Sequence, residues 1–186
     1  ERQADLTSMR ARVAEYFRGC NVLEIACGTG YWTTEIARVA SSVTAIDASA
    51  EVLDVAAVKA SLQQSAVELM LGDAFELEAI PGRFDAAFAG FWWSHVPHDR
   101  MHAFLDGLHR RLGVDSRIMF VDNRFVEGNS TPISRRDGAG NTFQQRPLST
   151  GASYEVLKNF PEESEVLNQL VGHRAHAVEH GARQQW

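Results

Sequence analysis

The stretch Val22-Leu-Glu-Ile-Ala-Cys-Gly-Thr-Gly-Tyr-Trp-Thr33 constrains the fold more than any other, because an apolar run breaks abruptly into small residues before a helical pattern resumes. It reads as a strand, a tight loop and a helix start. Ala26, Gly28 and Gly30 keep bulk off the loop, so its backbone can approach a ligand and N–H groups at the following helix can face a polar one. In doubly wound α/β folds this turn, at the carboxyl edge of a parallel sheet, is where nucleosides bind.

Two kinds of nucleotide site use such a loop. A dinucleotide fingerprint G-x-G-x-x-G starting at Gly28 requires a third glycine where this chain has Thr33, which weakens the reading of a nicotinamide-dependent oxidoreductase. Further on, the β-rich run Ser42 to Ile46 ends at Asp47, about 20 residues past the loop, where a carboxylate accepts ribose hydroxyls and favours a ribose without a 2′-phosphate. The plainer alternative is that Asp47 only starts the turn before a helix over Glu51 to Lys59. Val67 to Leu71 reads as a third strand, followed by Gly72-Asp73-Ala74, and Arg83 to Ala89 reads as a fourth.

The series Glu24-x-Ala26-x-Gly28-x-Gly30, with acids after the second and third strands and a Phe-Asp pair opening the fourth, resembles the class I S-adenosylmethionine-dependent methyltransferases of small-molecule type. The resemblance is strong from Asn21 to about Asp122 and loose beyond. It implies an α/β, doubly wound, mostly parallel seven-stranded sheet with an antiparallel C-terminal strand, in a single domain over 1–186. It also implies that an N-terminal lid segment and the end of the last strand are missing. By resemblance, S-adenosylmethionine lies on Glu24, Ala26, Cys27, Gly28, Thr29, Gly30 and Trp32, with its ribose at Asp47 and Ala48, its adenine at Asp73 and Ala74, and backbone contacts from Ala89, Gly90 and Phe91. S-adenosylhomocysteine is then the product, and the acceptor is an unidentified small molecule. A cofactor-binding regulatory protein without transfer activity is the alternative.

On the acceptor side, Trp92 and Trp93 follow the fourth strand, where an aromatic wall favours a cationic sulfonium and an apolar substrate, although at least one of the two is expected in the core. His95 is the candidate general base, since imidazole titrates near neutrality; orienting the loop is its plainer role. No Asn-Pro-Pro-Tyr or Asp-Pro-Pro-Tyr follows the fourth strand, which argues against amino methylation of adenine or glutamine, and no Pro-Cys pair suits pyrimidine methylation. His95, His98 and His102, and also His173, His176 and His180, have suggestive spacing but no nearby Cys, so no metal is expected.

Eighteen Lys and Arg against 24 Asp and Glu give the 186-residue chain a net charge of −6, without the concentrated basic face that nucleic acid requires. No run approaches the ~20 apolar residues of a membrane span and no signal-peptide pattern is seen, so a soluble cytoplasmic protein is expected, with no nucleic-acid or membrane partner. Cys20 and Cys27 read as thiols. Leu6, Met9, Val13 and Phe17 mark an amphipathic opening helix; further helices are expected over Tyr31 to Ala40 and Asp99 to Leu112, and a fifth strand over Arg117 to Asp122. From Arg124 to Thr150 the composition turns polar with little periodicity. This segment is expected to be a long acceptor-side insertion or loop in which Arg124, Arg135 and Arg136 could meet an acidic group. A strand at Tyr154 to Lys158, a helix opened by Pro161-Glu-Glu163 and a closing hairpin over 174–178 and 182–186 complete the reading.

Overall fold

The computed structural model describes residues 2–61, 66–148 and 151–170. Five strands, β1 (Asn21–Ile25), β2 (Ser42–Asp47), β3 (Val67–Leu71), β4 (Phe84–Gly90) and β5 (Leu112–Val121), form one sheet in the order β3-β2-β1-β4-β5. Every pairing in it is parallel. The strand order reverses between β1 and β4, which puts the Ala26–Gly30 loop at the topological switch point where α/β sheets bind ligands.

Alternation along the strands sorts the core into two layers. Leu23, Ile25, Ile46, Ala87 and Ala89 point to one side, against α4 (Met101–Arg111) through Met101, Phe104, Leu105 and Leu108. Val22, Val43, Ala45, Ala86 and Phe88 point to the other, against Val13 of α1 (Arg2–Tyr16), Phe17 just beyond it, and Trp32 and Ile36 of α2 (Tyr31–Ala37). Helix α3 (Ala50–Ser61) adds Leu53 to that second layer. Burial on both faces is why these strands read as near-continuous apolar runs.

Three expected boundaries move. Helix α2 stops at Ala37, α4 runs only from Met101 to Arg111, and Leu112 opens β5 instead of closing the helix. Strand β5 is irregular at its start, where the register against β4 shifts between Phe84 and Ala86 and Asp115 adopts φ 62°.

The larger correction concerns 124–150, which is not a featureless loop. It contains β6 (Ile133–Arg136) and β7 (Thr142–Pro147), which with β8 (Ser153–Leu157) form a separate three-stranded antiparallel sheet in the order β6-β7-β8. Asp137 makes the turn between β6 and β7, its Oδ1 accepting the N–H groups of Ala139 at 3.0 Å and Asn141 at 2.9 Å. Helix α5 (Glu163–Leu170) follows as expected. The closing hairpin over 174–178 and 182–186, which would bring the main sheet to seven strands, lies outside the described residues.

Candidate functional site

Backbone hydrogen bonds lock together the carboxyl ends of β1, β2 and β3. The Cys27 N–H donates to the Ile46 carbonyl at 2.9 Å, and the Gly72 N–H donates to the Asp47 carbonyl at 3.0 Å. Asp47 reaches across the switch point: its Oδ2 accepts the Gly28 N–H at 2.8 Å, and its Oδ1 accepts the Ser49 N–H at 3.0 Å. It is therefore both the turn residue and the carboxylate aimed at the glycine loop. Asp73 is exposed and caps its own turn through the Phe75 N–H at 2.8 Å, while Ala74 beside it is buried. Thr29 and Ala48 lie on the exposed rim.

Three non-glycine residues among those described have positive φ, and two of them frame this rim: Ala26 at 53° and Phe91 at 60°. Such strain persists only where surrounding structure fixes it, and it clusters at ligand sites. Phe91 is fixed by its N–H, which donates to the Val121 carbonyl at 2.6 Å. Gly28 has φ 55°, and a Cβ built there meets nothing within 4 Å. The loop thus presents bare backbone beside open space. Gly90 is held to glycine for the opposite reason, since a Cβ there would sit 2.8 Å from the Trp32 indole.

Several expected contact residues are placed under the loop instead of on its open face. Trp32 is 5% exposed and packs against Phe88 and Gly90, because its place in the first turn of α2 turns it into the core. Cys27 is buried, and burial pushes its thiol up to about 12, which makes it a small filler without reactivity. Glu24 is 2% exposed, and burial pushes its carboxyl up to about 8, with Thr33 opposing the rise. Glu24 Oε2, Thr33 Oγ1 and Trp32 Nε1 are buried without a partner at hydrogen-bond geometry, so polar capacity is left beneath the glycine loop.

The Glu24 carboxyl has a consequence for stability. Its folded value of about 8 lies above its ordinary 4.5, so between those values the folded chain holds a proton that the unfolded chain has released. The associated stability is complete below pH 4.5 and is lost as pH rises to about 8, at a slope of about 1.4 kcal/mol per pH unit. Glu24→Gln, neutral at every pH, is expected to flatten that slope in denaturant unfolding across this window. An unchanged slope in the variant would contradict the assignment.

On the acceptor side the two tryptophans separate. Trp93 is 5% exposed and stacks edge-on to Phe120 with ring centroids 5.0 Å apart, so it belongs to the core, where one edge lines a cavity of about 200 Å³ beside α5. Trp92 is half-buried between Phe75 and Phe104, its indole N–H unpartnered. Arg124 has a side chain that is 62% exposed and lies 3.7 Å from Glu162. Arg135 pairs with Glu155 at 2.5 Å, and Arg136 donates to the Gly140 carbonyl.

His95 is mostly buried, and its Nδ1 lies 2.8 Å from the Leu157 carbonyl. A carbonyl only accepts, so Nδ1 carries the proton and Nε2 is the basic nitrogen. Burial lowers its pKa from the ordinary 6.5, and Lys158 lowers it further. A network that sequence reading missed holds this turn. Lys158 Nζ donates to Ser94 Oγ at 2.6 Å and lies 3.3 Å from Asp122 Oδ1, and Ser94 donates to Asp122 through both its N–H and its hydroxyl at 2.8 Å. Ser94 sits in the short helical turn Trp93–His95 after β4, Asp122 just past β5 and Lys158 just past β8, so the network ties the second sheet to the first.

Among the described residues no three His, Cys, Asp or Glu side chains converge to hold a metal ion; His173, His176 and His180 lie outside them. No helix among the described residues is long and apolar enough to cross a membrane.

Comparison with known proteins gives this geometry a family. A family model described as a methyltransferase domain matches residues 22–114, half of the chain. A demethylmenaquinone methyltransferase of Staphylococcus aureus (strain MRSA252) is 36% identical over 83 residues, covering 43% of this chain and 34% of that protein. The chain thus spans about a third of the length of that curated relative. The solved complex of DhpI with SAH is 31% identical with a TM-score of 0.68, over 91% of this chain and 72% of that one. A second DhpI complex, with SAM and HEP, is 29% identical with a TM-score of 0.67, over 92% and 87%. The PH0226 protein of Pyrococcus horikoshii OT3 shares the fold at a TM-score of 0.76 and 18% identity, over 99% and 86%. A family match from β1 into β5, together with a relative of this identity and coverage, establishes that the chain belongs to the class I S-adenosylmethionine-dependent methyltransferases.

Proposed function

We propose that this chain transfers a methyl group from S-adenosylmethionine to a small-molecule acceptor. The observation that carries the reading is the bare loop at Gly28, open to a ligand and facing the Asp47 carboxylate across the switch point. When bound, S-adenosylmethionine supplies an electrophilic methyl on a sulfonium, displaced in line by the acceptor. The chain's own residues hold and orient: Asp47 would take the ribose hydroxyls, Asp73 and the Ala74 N–H the adenine edge, and the backbone of Ala89, Gly90 and Phe91 the rim between donor and acceptor. The orphan oxygen of Glu24 below the loop fits a polar or cationic group above it. The known DhpI complex with SAM and HEP supports such a division between donor and second ligand.

Positioning supplies much of the rate of such a displacement, and His95 supplies a base where the acceptor carries a proton. With Nδ1 engaged by Leu157 and its pKa lowered, the imidazole is neutral at neutral pH with Nε2 able to accept. The test is a screen of phenols, amines and carboxylates for S-adenosylhomocysteine release, followed by His95→Gln on the best hit. A base role predicts a single-turnover rate lower by about 10²-fold and an acid limb, below the ordinary histidine value, that disappears in the variant. A smaller loss with an unchanged pH profile would reduce His95 to positioning, and release from no acceptor would sink the transfer reading.

A further inference from the structure

Strand register sets the face of β7 on which Arg146 lies. In the antiparallel pair, Gln144 lies opposite Val156 and Arg146 opposite Tyr154, and the Lys158 N–H donates to the Thr142 carbonyl. Opposed residues share a face, so Thr142, Gln144 and Arg146 of β7 line the same side as Val156 and Lys158. That side is buried at its Thr142 end, where Thr142 and Gln144 are 5% and 1% exposed and Lys158 leaves it to meet Ser94 and Asp122 beside His95, and it opens to solvent at Arg146, whose opposite Tyr154 is 50% exposed. Burial and then Lys158 lower the His95 pKa, and the Arg146 charge adds to them.

The cations around this sheet are not equally compensated. Arg135 has Glu155, Arg124 has Glu162 and Lys158 has Asp122. Half-buried Arg146 is held by neutral groups, donating to Gln144 Oε1 at 2.9 Å and Thr131 Oγ1 at 3.3 Å, and no carboxylate pairs with it among the described residues. Gln144 is itself fixed by its amide donating to the Thr131 carbonyl. The guanidinium is thus oriented by two bonds, keeps further N–H donors, and leaves a net positive charge beside the acceptor-side turn of a chain whose total charge is −6.

We propose that Arg146 is the anchor for an oxyanion on the acceptor, so that the acceptor is a small acid held by a carboxylate or phosphate-type group. This rests on the methyl-transfer reading and narrows its substrate class. A planar guanidinium grips such a group with two parallel hydrogen bonds, and an anion neutralises a half-buried charge that no carboxylate pairs with among the described residues. The acid is a handle, and which atom takes the methyl is independent of it.

The test uses the full chain saturated with S-adenosylmethionine, as wild type, Arg146→Gln and Arg146→Lys. The probes are benzoate and phenyl phosphate, with benzamide as the neutral arm. Binding is followed by calorimetry and by the Arg146 side-chain N–H signal in NMR. At least one acid should shift that signal, with the stronger of the two identifying a carboxylate or a phosphate handle. Arg146→Gln should weaken the acid by about tenfold or more, Arg146→Lys by less, with benzamide and S-adenosylmethionine affinities within about twofold of wild type. Acid binding that is absent in wild type, or unaltered by Arg146→Gln, overturns the proposal. The underlying reading fails separately: acids that bind through Arg146 while no acceptor in a panel of carboxylic acids, phosphate esters and matched amides yields S-adenosylhomocysteine would leave the anchor and remove the transfer. Release from amides alone, equal in wild type and Arg146→Gln, would do the reverse.

Discussion

Gly28→Val is expected to weaken S-adenosylmethionine binding by at least about 100-fold, roughly 3 kcal/mol, while the chain keeps its fold. The added side chain meets no protein atom within 4 Å of its Cβ, so it does not disturb the core. It does enter the open space over the loop where a ligand has to touch backbone. The cost to the free protein is the left-handed φ of 55°, about 1–2 kcal/mol for a residue with a Cβ and more for a branched one, which lowers the melting temperature without abolishing folding. Gly28→Ala, with the same φ penalty and less bulk, should fall between the two in affinity. Calorimetry gives the affinity and thermal melting the fold; a valine variant that binds normally removes the loop from the site.

Lys158→Ala should be the most destabilising single change in the acceptor half, by about 3–5 kcal/mol in denaturant unfolding, the usual cost of leaving one member of a buried ion pair without its partner. The Lys158 side chain is 4% exposed and that of Asp122 12%. Without the ammonium, Asp122 keeps donors from Ser94 and from the Asn123 N–H but loses its only cation among the described residues. The damage also has an architectural side, since Asn159, next in the chain, donates its N–H to the Ser94 carbonyl and its amide to that of Val96. Removing Asp122's charge at the same time separates these effects. Lys158→Met with Asp122→Asn should cost less than the sum of the single changes. A loss below about 1 kcal/mol for Lys158→Ala would mean that water, not lysine, balances Asp122.

The parallel sheet and the loops at its carboxyl edge were legible because their determinants are local. An apolar run, a glycine turn and a polar residue at each strand end specify β1, β2, β3 and β4 with their loops, and the Gly28 N–H to Asp47 bond joins two positions that were each picked out alone. The second sheet was not legible for a physical reason. Its inner face is polar, with Thr142 and Gln144 buried there, so period-two alternation of apolar residues is missing. Those groups are satisfied by Asn159 and Thr131, partners distant in sequence. One local signal existed, Asp137-Gly138 between two short β-compatible runs, which is hairpin chemistry. Likewise, nothing in Trp92-Trp93 says which indole enters the core; the short helical turn at 93–95 decides it. Lys158 and Ser94 are 64 residues apart, and only strand register puts Arg146 on the same face as Gln144 and Thr142, so these cations find their surroundings at the tertiary level alone.

A site for S-adenosylmethionine at the Gly28 loop and Asp47 has a direct consequence for binding. The most direct measurement is calorimetric titration of the full chain with S-adenosylmethionine, S-adenosylhomocysteine and NAD in turn. The first two should bind saturably at a common site and NAD should not bind, because Thr33 stands where a dinucleotide loop needs its third glycine. Binding of NAD in the absence of any response to S-adenosylmethionine or its demethylated product would contradict it.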